Sequence, residues 1–444
     1  MNYKTPGVYV EEISLLPPSV AQVETAIPAF IGYTEKGPSE PTRISSMLEY
    51  SEIFGSAHHQ SFAVTLDNEE PYLPQLVAPS GGESPYLMHS SLQMFFANGG
   101  GPCYIMSVGD YDPGTTSPSL DDIADYSELK AGLDKVRKVD EVTLIVIPEA
   151  VRLMANEQYD LYKDVLMQCG DLQDRFGIFD LRSDDDTAES FRNGIGTSFL
   201  SYGAVYAPQL KTSLPHSFKD SGISFTHGAS DAFNELTLDK VKILAGALDI
   251  QSQVAAAKEL VDTAESSGKA GVKAVKLKQT GIGLSNTKRA IDLIEGLMES
   301  VEDDGFSSPE LDSAKTTYET HEATSFDLNT SNGDFDTVLT ELGVAAGELD
   351  TAISGVVAEI NNQTGIAEAR NSTIGTYFTS EFSASVEKLL NSQKLTLPPS
   401  AAVAGIYAKV DADRGVWKAP ANVSLNRVSG PSRKITNLEN GNFN

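Results

Sequence analysis

The sequence predicts a mixed α/β protein with more than one domain, and three observations support this prediction. At 444 residues the chain exceeds the usual size of a single hydrophobic core. Before residue 210, short apolar runs of strand length alternate with helical stretches, which is typical of a sheet covered by helices. From about 211 to 390 the composition shifts toward alanine, serine, threonine and acidic residues. We therefore expect an α/β (α+β mixed) multidomain fold with a helical insertion domain.

Residues 1–25 predict an extended β arm followed by a linker. Val8–Val10 follow Pro6-Gly7 and favour extended backbone, and Pro17-Pro18 then interrupts the chain. A β-segment without a hairpin partner nearby must pair at long range or with another chain.

Residues 26–210 predict the α/β domain. A helix is expected in "SPYLMHSSLQMFFANGG", where Leu87, Leu92, Phe95 and Phe96 share a face before the glycines end it. Five apolar runs contain the expected strands: "AFIGYT" (29–34), "CYIMSV" (103–108), "VTLIVIP" (142–148), "RFGIFDL" (175–181) and "SYGAVYAPQL" (201–210).

Residues 211–390 predict a small, acidic helical domain inserted into the rest. Apolar side chains recur every three or four residues between Ile291 and Val301 and between Val338 and Ile360. A partly disordered acidic loop region is the alternative. After residue 391 the earlier character returns, and "AAVAGIYAKV" is expected to form a helix.

The charge and the cysteine content limit the class of protein. The 33 lysines and arginines stand against 62 aspartates and glutamates, a formal net charge of −29, which argues against nucleic acid or an anionic membrane as a partner. Two explanations of this charge remain open: it keeps the protein soluble, or it creates a long-range electrostatic field that acts on a basic partner or a neighbouring subunit. Two cysteines, no signal peptide and no long apolar run predict a soluble chain made in the cytoplasm, without direct membrane insertion.

The sequence offers no catalytic centre, metal site or cofactor site. His58-His59 is the only adjacent histidine pair; the remaining histidines, at 89, 216, 227 and 321, are scattered, and all six are expected at the surface. Cys103 and Cys169 are expected to be buried thiols. The glycine run "NGGGPCY" lacks the Lys-Ser/Thr of a phosphate-binding loop. We therefore predict that the protein is not an enzyme.

The only tryptophan lies in "GVWKAPANVSL", residues 415–425. Because tryptophan carries a large apolar surface, we interpret Trp417 as a packing anchor that fixes a turn where the chain re-enters its core domain.

Several segments together resemble one known family. They are "YKTPGVYVEEI", "IPAFIGYTEKGP", "MFFANGGGPCYIMSV", "VTLIVIPEA", "SYGAVYAPQL" and, most specifically, "LPPSAAVAGIYAKVDADRGVWKAPANVSL". Their order and sequence are similar to those of the sheath proteins of contractile phage tails and related phage-like injection particles. The resemblance covers residues 1–210 and 391–444 and implies that 391–444 begins an inner core domain to which the arm and linker are joined.

The resemblance also implies the function and the partners. Sheath proteins form a helical sleeve of stacked six-membered rings around an inner tube protein, contact baseplate and cap proteins, and contract from a metastable extended state. The implied inter-subunit arm contains Tyr3, Pro6, Gly7, Val8, Tyr9 and Val10. The family signature contains Pro398, Pro399, Gly405, Gly415, Trp417, Lys418, Ala419, Pro420, Ala421 and Asn422.

Two departures from the family bear on these expectations. The 211–390 insertion is larger than in compact sheath proteins, and we expect it to decorate the outer surface of the sleeve. The chain ends at "ITNLENGNFN", where the family continues, so we expect an incomplete sequence rather than a short variant. A static sheath-like protein at the baseplate or cap and an unrelated enzyme are the alternative functions.

Overall fold

The computed structural model describes residues 25–80, 82–111, 124–183, 188–228, 236–246 and 370–435, together with residues 233, 248–249, 252, 354, 358 and 361. The predicted arm residues and nearly all of the predicted helices at 291–301 and 338–360 lie outside these residues. The chain divides into two compact units. Unit 1 contains residues 1–58, 84–214 and 395–444, and unit 2 contains residues 59–83 and 215–394.

The described elements are, in chain order, β1 (Pro28–Thr34), β2 (Thr42–Ile44), α1 (Met47–Phe54), β3 (Phe62–Leu66), β4 (Pro74–Pro79), α2 (Met88–Ala97), β5 (Cys103–Asp110), α3 (Tyr126–Val136), β6 (Leu144–Val146), α4 (Ala155–Leu172), β7 (Phe176–Asp180), α5 (Glu189–Gly194), β8 (Gly203–Tyr206), β9 (Leu210–Pro215), β10 (Ile223–His227), α6 (238–246), α7 (Asn371–Tyr377), α8 (Ser380–Ser392), β11 (Lys394–Leu397), α9 (Ser400–Arg414) and β12 (Val428–Pro431). Short 3-10 helices cover Pro148–Arg152, Leu200–Tyr202 and Asp220–Gly222.

Unit 1 is built around a six-stranded sheet with the order β2-β5-β1-β6-β7-β8. The neighbours from β5 to β8 pair in parallel, and β2 pairs antiparallel with β5 at one edge. Parallel neighbours need crossover connections, and helices provide several of them. The predicted α/β class and the five predicted strand regions are therefore confirmed.

The central strand β1 shows why both faces of the sheet are covered. Ala29, Ile31 and Tyr33 belong to one buried cluster, whereas Phe30 belongs to another. Successive side chains of a strand point to opposite faces, so a strand without an exposed residue needs apolar cover on both sides. Helices α3, α4 and α5 contribute to the first cluster, and α1, α2 and α9 contribute to the second.

The two cysteines lie in these opposite clusters, and the prediction that both are buried is confirmed. Both Cys103 and Cys169 are buried and free. Burial raises the pKa of the Cys103 thiol well above its usual range and raises that of Cys169 to about 12. Both side chains therefore act as small apolar groups in the core.

A second, three-stranded sheet in unit 1 has the order β11-β9-β12. The Thr212 hydroxyl donates to the carbonyl oxygen of Leu395 at 2.8 Å, and β12 pairs antiparallel with β9. This sheet joins the chain before residue 215 to the chain after residue 394. The 84–214 and 395–444 segments of unit 1 are thereby connected within one sheet.

Unit 2 is a mixed unit and not a purely helical one. Its sheet has the order β10-β3-β4, with β3 parallel to β10 and antiparallel to β4. Its core combines strand residues such as Phe62 and Phe225 with Phe378, Phe382 and Val386 from around α7 and α8. The 371–377 and 380–392 helices agree with the helical character predicted for 211–390, but β10 does not.

The observed units differ from the predicted domains at two places. The sequence predicts that residues 59–83 belong to the 26–210 domain, yet β3 and β4 belong to unit 2. It also predicts different domains for residues 26–58 and 395–444, yet both belong to unit 1. The reason is long-range strand pairing: β3 pairs with β10, about 160 residues later in the chain, and composition does not reveal such pairing.

Candidate functional site

The signature segment extends from Pro398 through α9 into the loop that follows it. Its first part is buried. Pro398 and Pro399 are both buried, and Pro399 occupies the N-cap of α9, where no side chain of the helix itself provides a cap. Instead the Ser400 amide donates to Asp180 Oδ1 at 2.7 Å. The start of the segment is thus held by the carboxyl end of strand β7.

Asp180 is an unusual cap because it is only 1% exposed. Its backbone is also fixed, since the Tyr162 hydroxyl donates to its carbonyl oxygen at 3.2 Å. Burial raises the pKa of its carboxyl to about 7, although the hydrogen bonds from Ser400 act in the opposite direction.

Gly405 lies where α9 crosses α2. A Cβ at this position would be 2.5 Å from the carbonyl oxygen of Phe95 and 3.1 Å from Cβ of Asn98. Since one neighbour is a backbone atom, little relaxation is possible, and glycine lets the two helices approach closely. Ala401 and Ala404 beside it are buried in the same cluster as Phe95.

The segment returns to α2 at its other end. The Asn426 amide donates to Asn98 Oδ1 at 2.7 Å, and Asn426 Nδ2 donates to the carbonyl oxygen of Ala97 at 2.9 Å. Asn98 is fully buried, and its own Nδ2 donates to the carbonyl oxygen of Met94 at 2.7 Å. These bonds provide partners for backbone carbonyl groups at the C-terminus of α2. Together with the Asp180 bond to Ser400, they hold both ends of residues 398–426 to the rest of unit 1.

Between these two attachments, the tryptophan loop (residues 415–425) is mostly exposed. Trp417 is 66% exposed and Val416 is 68% exposed, so the prediction that Trp417 is a core packing anchor is wrong. Gly415 ends α9 with φ of 89°, and the indole ring lies against it. The Lys418 amide bonds only the nearby Gly415 carbonyl, at 3.1 Å, and the loop makes a local turn away from the core.

The remaining signature residues are also largely exposed. Lys418, Ala419, Ala421 and Asn422 are exposed, Pro420 is half-buried, and Asn422 has φ of 56°. The signature therefore combines a buried first part, which is attached to the core of unit 1, with an exposed loop.

A second buried carboxyl lies after the neighbouring strand β6. Glu149 is 1% exposed, and its Oε1 accepts hydrogen bonds from the amides of Leu87 at 3.0 Å and Met88 at 2.7 Å. These amides begin α2, which has no side-chain cap of its own. Oε2 has no hydrogen-bond partner among the described residues and packs against Gly32, where a Cβ would be 2.3 Å away. Burial raises the pKa of Glu149 to about 7.

Sequence reasoning missed Glu149, Asp180, Asn98 and Asn426. The two acids did carry a signal, because each ends an apolar run, "VTLIVIPE" and "RFGIFD". The carboxyl ends of neighbouring parallel strands meet at one edge of a sheet, so an acid at this position in both strands is worth noting. The two asparagines gave no such signal.

The described histidines are half-buried, which corrects the expectation that they lie at the surface. Ser84 Oγ lies 3.0 Å from His58 Nδ1 in unit 1, and Ser217 Oγ lies 2.9 Å from His59 Nδ1 in unit 2. Burial lowers the pKa of His89 and of His216. The sixth histidine, at position 321, lies outside the described residues.

Within the described ranges, no group of three or more histidine, cysteine or acidic side chains has the arrangement of a metal site. Over the same part of the chain, the helices are too short or too polar to cross a bilayer.

Comparison with solved structures gives similarity to parts of contractile injection systems. The baseplate of the anti-feeding prophage, determined by cryo-electron microscopy with six-fold symmetry, matches over 100% of this chain with 18% identity and a TM-score of 0.39. The contracted helical sheath of the same particle matches over 98% with 18% identity and a TM-score of 0.38. The contracted PVC sheath complex of an extracellular contractile injection system matches over 99% with 16% identity and a TM-score of 0.35.

The chain spans 63%, 61% and 60% of the length of these three chains, respectively. No family model and no curated protein matches the sequence.

Proposed function

We propose that the chain is a structural subunit of a contractile sheath, and that it is not an enzyme. In this proposal many copies form six-membered rings that stack into a helical sleeve around an inner tube protein. The sleeve contacts baseplate and cap proteins and shortens from a metastable extended state to drive the tube through a target envelope. The particle is a phage tail or a phage-like injection device. The signature segment, residues 398–422, carries the sequence resemblance on which the proposal rests.

One structural observation supports an assembly role above others: the signature segment has a fixed base and an exposed apolar loop. Asp180 holds its start, Gly405 packs on α2, and Asn98 holds its end. The loop between these attachments exposes Val416 and Trp417. A rigid base that presents a large aromatic side chain to solvent is typical of a surface that binds a protein partner.

The net charge strengthens this argument. Copies with a formal charge of −29 repel each other, so contacts between them need apolar surface or local positive charge. The tryptophan loop offers both, since Lys418 is exposed beside Val416 and Trp417. Tryptophan is among the residues most enriched at the energetic centres of interfaces.

Contraction needs no nucleotide in this proposal. Each subunit interface would have two packings separated by a barrier, with the extended one assembled first. A difference of about a few kcal/mol per subunit, as in other bistable packings, would add up along the sleeve to substantial mechanical work.

The N-terminal arm is proposed to connect the subunits. Residues 3–12 would add a strand to a sheet in a neighbouring copy, and "LLPPSV" would serve as the linker. The described chain begins at Thr25, whose hydroxyl donates to Asp411 Oδ2 in the last turns of α9 at 3.0 Å. The first described residue is thereby held to α9, the helix that precedes the tryptophan loop in the sequence.

The test is to change the arm in particles that contain the tube and baseplate proteins. We expect deletion of residues 1–12 to leave the subunit folded, as judged by far-UV circular dichroism, but to prevent a continuous striated sleeve in negative-stain micrographs. Replacing Val8 and Val10 by proline should have the same effect, because proline cannot donate to a strand ladder. The matched control replaces both by threonine, which keeps β propensity, and should assemble.

An unchanged sleeve after the deletion would refute arm exchange. Sleeves of a single length before and after triggering would instead indicate a static sheath-like subunit at the baseplate or cap.

A further inference from the structure

Two buried carboxyls hold the starts of the two helices that pack against each other on one face of the unit 1 sheet. Glu149 caps α2 through the amides of Leu87 and Met88, and Asp180 caps α9 through the amide of Ser400. Neither helix has a side-chain cap of its own. Because β6 and β7 are parallel neighbours, both acids lie at the same edge of the sheet.

The surroundings of Glu149 contain one cation and several phenols. Arg152, on the same short helix, stabilises its charge, while Tyr33 of β1, Tyr50 of α1 and Tyr111 after β5 interact with it electrostatically. Oε1 accepts from two amides, whereas the buried Oε2 has no hydrogen-bond partner among the described residues. An unpartnered ionised oxygen costs more free energy in this position than an unpartnered neutral one, so burial favours the neutral acid. A fully ionised carboxylate normally has partners on both oxygens.

The surroundings of Asp180 are equally closed. The phenol of Tyr162 from α4 acts on it electrostatically, and Ser400 from α9 covers the carboxyl. Gln158 of α4 donates to its carbonyl oxygen at 3.3 Å. The acid is therefore enclosed by two helices, α4 and α9, and its charge can be relieved mainly by taking up a proton.

We propose that Glu149 and Asp180 form a proton-operated latch that holds the α2–α9 helix pair firmly when both acids are neutral and loosens it when they ionise. The latch is a property of the folded subunit and does not depend on the proposed sheath function.

The direction of the effect follows from proton linkage. Burial raises the pKa of both acids to about 7, from ordinary values of 4.5 for glutamate and 3.8 for aspartate. Between those values and 7 the folded state binds more protons than the unfolded state, so the free energy of unfolding falls as the pH rises. Each group changes the unfolding equilibrium by on the order of a hundredfold or more across this window. Above pH 7 to 8 the effect is complete.

One nearby group acts in the opposite sense. His89 lies on α2, and burial lowers its pKa. The folded state therefore binds fewer protons at this residue than the unfolded state does, and its contribution to stability is lost as the pH falls below about 6.5. Removing the latch acids should leave this opposite pH dependence visible.

The experiment measures amide hydrogen exchange by mass spectrometry on the full chain at pH 5.5 and pH 8, corrected for intrinsic exchange rates. Peptides that cover residues 84–97 and 398–414 report on the two helices. In the wild type we expect protection of both to be on the order of a hundredfold higher at pH 5.5 than at pH 8. Glu149→Gln and Asp180→Asn, which imitate the neutral acids, should match the wild type at pH 5.5 and be better protected than it at pH 8.

The matched control is Asp125→Asn, because Asp125 also caps a helix, α3, but is exposed. This variant should weaken α3 and keep the wild-type pH dependence of the other two helices. If Glu149→Gln fails to fold, Asp180→Asn and the wild-type profile still decide the question.

Equal protection of the wild type at the two pH values would overturn the latch. The same holds if a variant that combines Glu149→Gln with Asp180→Asn keeps the wild-type pH dependence, since the effect would then come from other acids.

Discussion

Replacing Trp417 by alanine tests whether the tryptophan loop serves stability or assembly. A tryptophan side chain has at most about 250 Å² of surface, so with 66% exposed about 85 Å² is buried. At about 25 cal/mol per Å² that area contributes about 2 kcal/mol, which is an upper estimate. Removing a core aromatic costs about 3–5 kcal/mol. We therefore expect Trp417→Ala to lower the free energy of unfolding by no more than about 2 kcal/mol.

The assay is urea denaturation followed by far-UV circular dichroism, with sleeve formation scored by microscopy. Phe95→Ala is the matched control, since Phe95 is fully buried on α2 and should lose about 3–5 kcal/mol. Because Trp417 is the only tryptophan, wild-type fluorescence reports on it alone, and in the unassembled subunit it should be readily quenched by acrylamide. A shielded tryptophan there, or a loss as large as that of the control, would refute an exposed assembly loop.

Two further predictions concern packing and thiol reactivity. Gly405→Ala should destabilise unit 1 by about 1–2 kcal/mol, because overpacking against a backbone oxygen outweighs the gain in helix propensity of about 1 kcal/mol. The control is Gly375→Ala, also within a helix, where the added methyl group meets only a flexible leucine side chain; this variant should be neutral or stabilising. The two variants are compared by their midpoints of urea denaturation. Equal effects would contradict the close approach of α2 and α9. Cys103 and Cys169 should react with an aromatic disulfide reagent only after unfolding, and rapid labelling of the native protein would show that the core clusters are open.

The sequence was most informative where a short segment determines its own structure. The run "AFIGYT" predicts a buried strand because it contains only one polar residue, Thr34, and β1 is that strand. The helix over α2 follows from the spacing of Leu92 and Phe95, and it ends at the predicted glycines. In both cases the structure depends on which faces of the element are buried, and the spacing of apolar residues in the sequence indicates those faces.

The sequence was less informative where distant segments meet. The pairing of β3 with β10 places residues 59–83 in unit 2, and local composition carries no trace of it. The sequence does not distinguish Glu149 and Asp180 from exposed acids, because their role depends on helices α2 and α9, whose first amides they bind in the folded structure. Trp417 misled the prediction because a large apolar side chain favours burial on average, whereas an exposed one at an interface has the same sequence signature.

Unit 1 is formed by segments that lie far apart in the sequence, and this affects how it folds during synthesis on the ribosome. About 300 residues lie between the end of α2 and the start of α9, although both helices cover the same face of the sheet. At about 5–20 residues per second, α9 emerges roughly 15–60 s after its partner. During that time the apolar face around Phe30 and Phe95 lacks part of its cover. The nascent chain therefore depends on late docking of its C-terminal segment, and a chaperone that shields this apolar face would raise the yield of folded subunit.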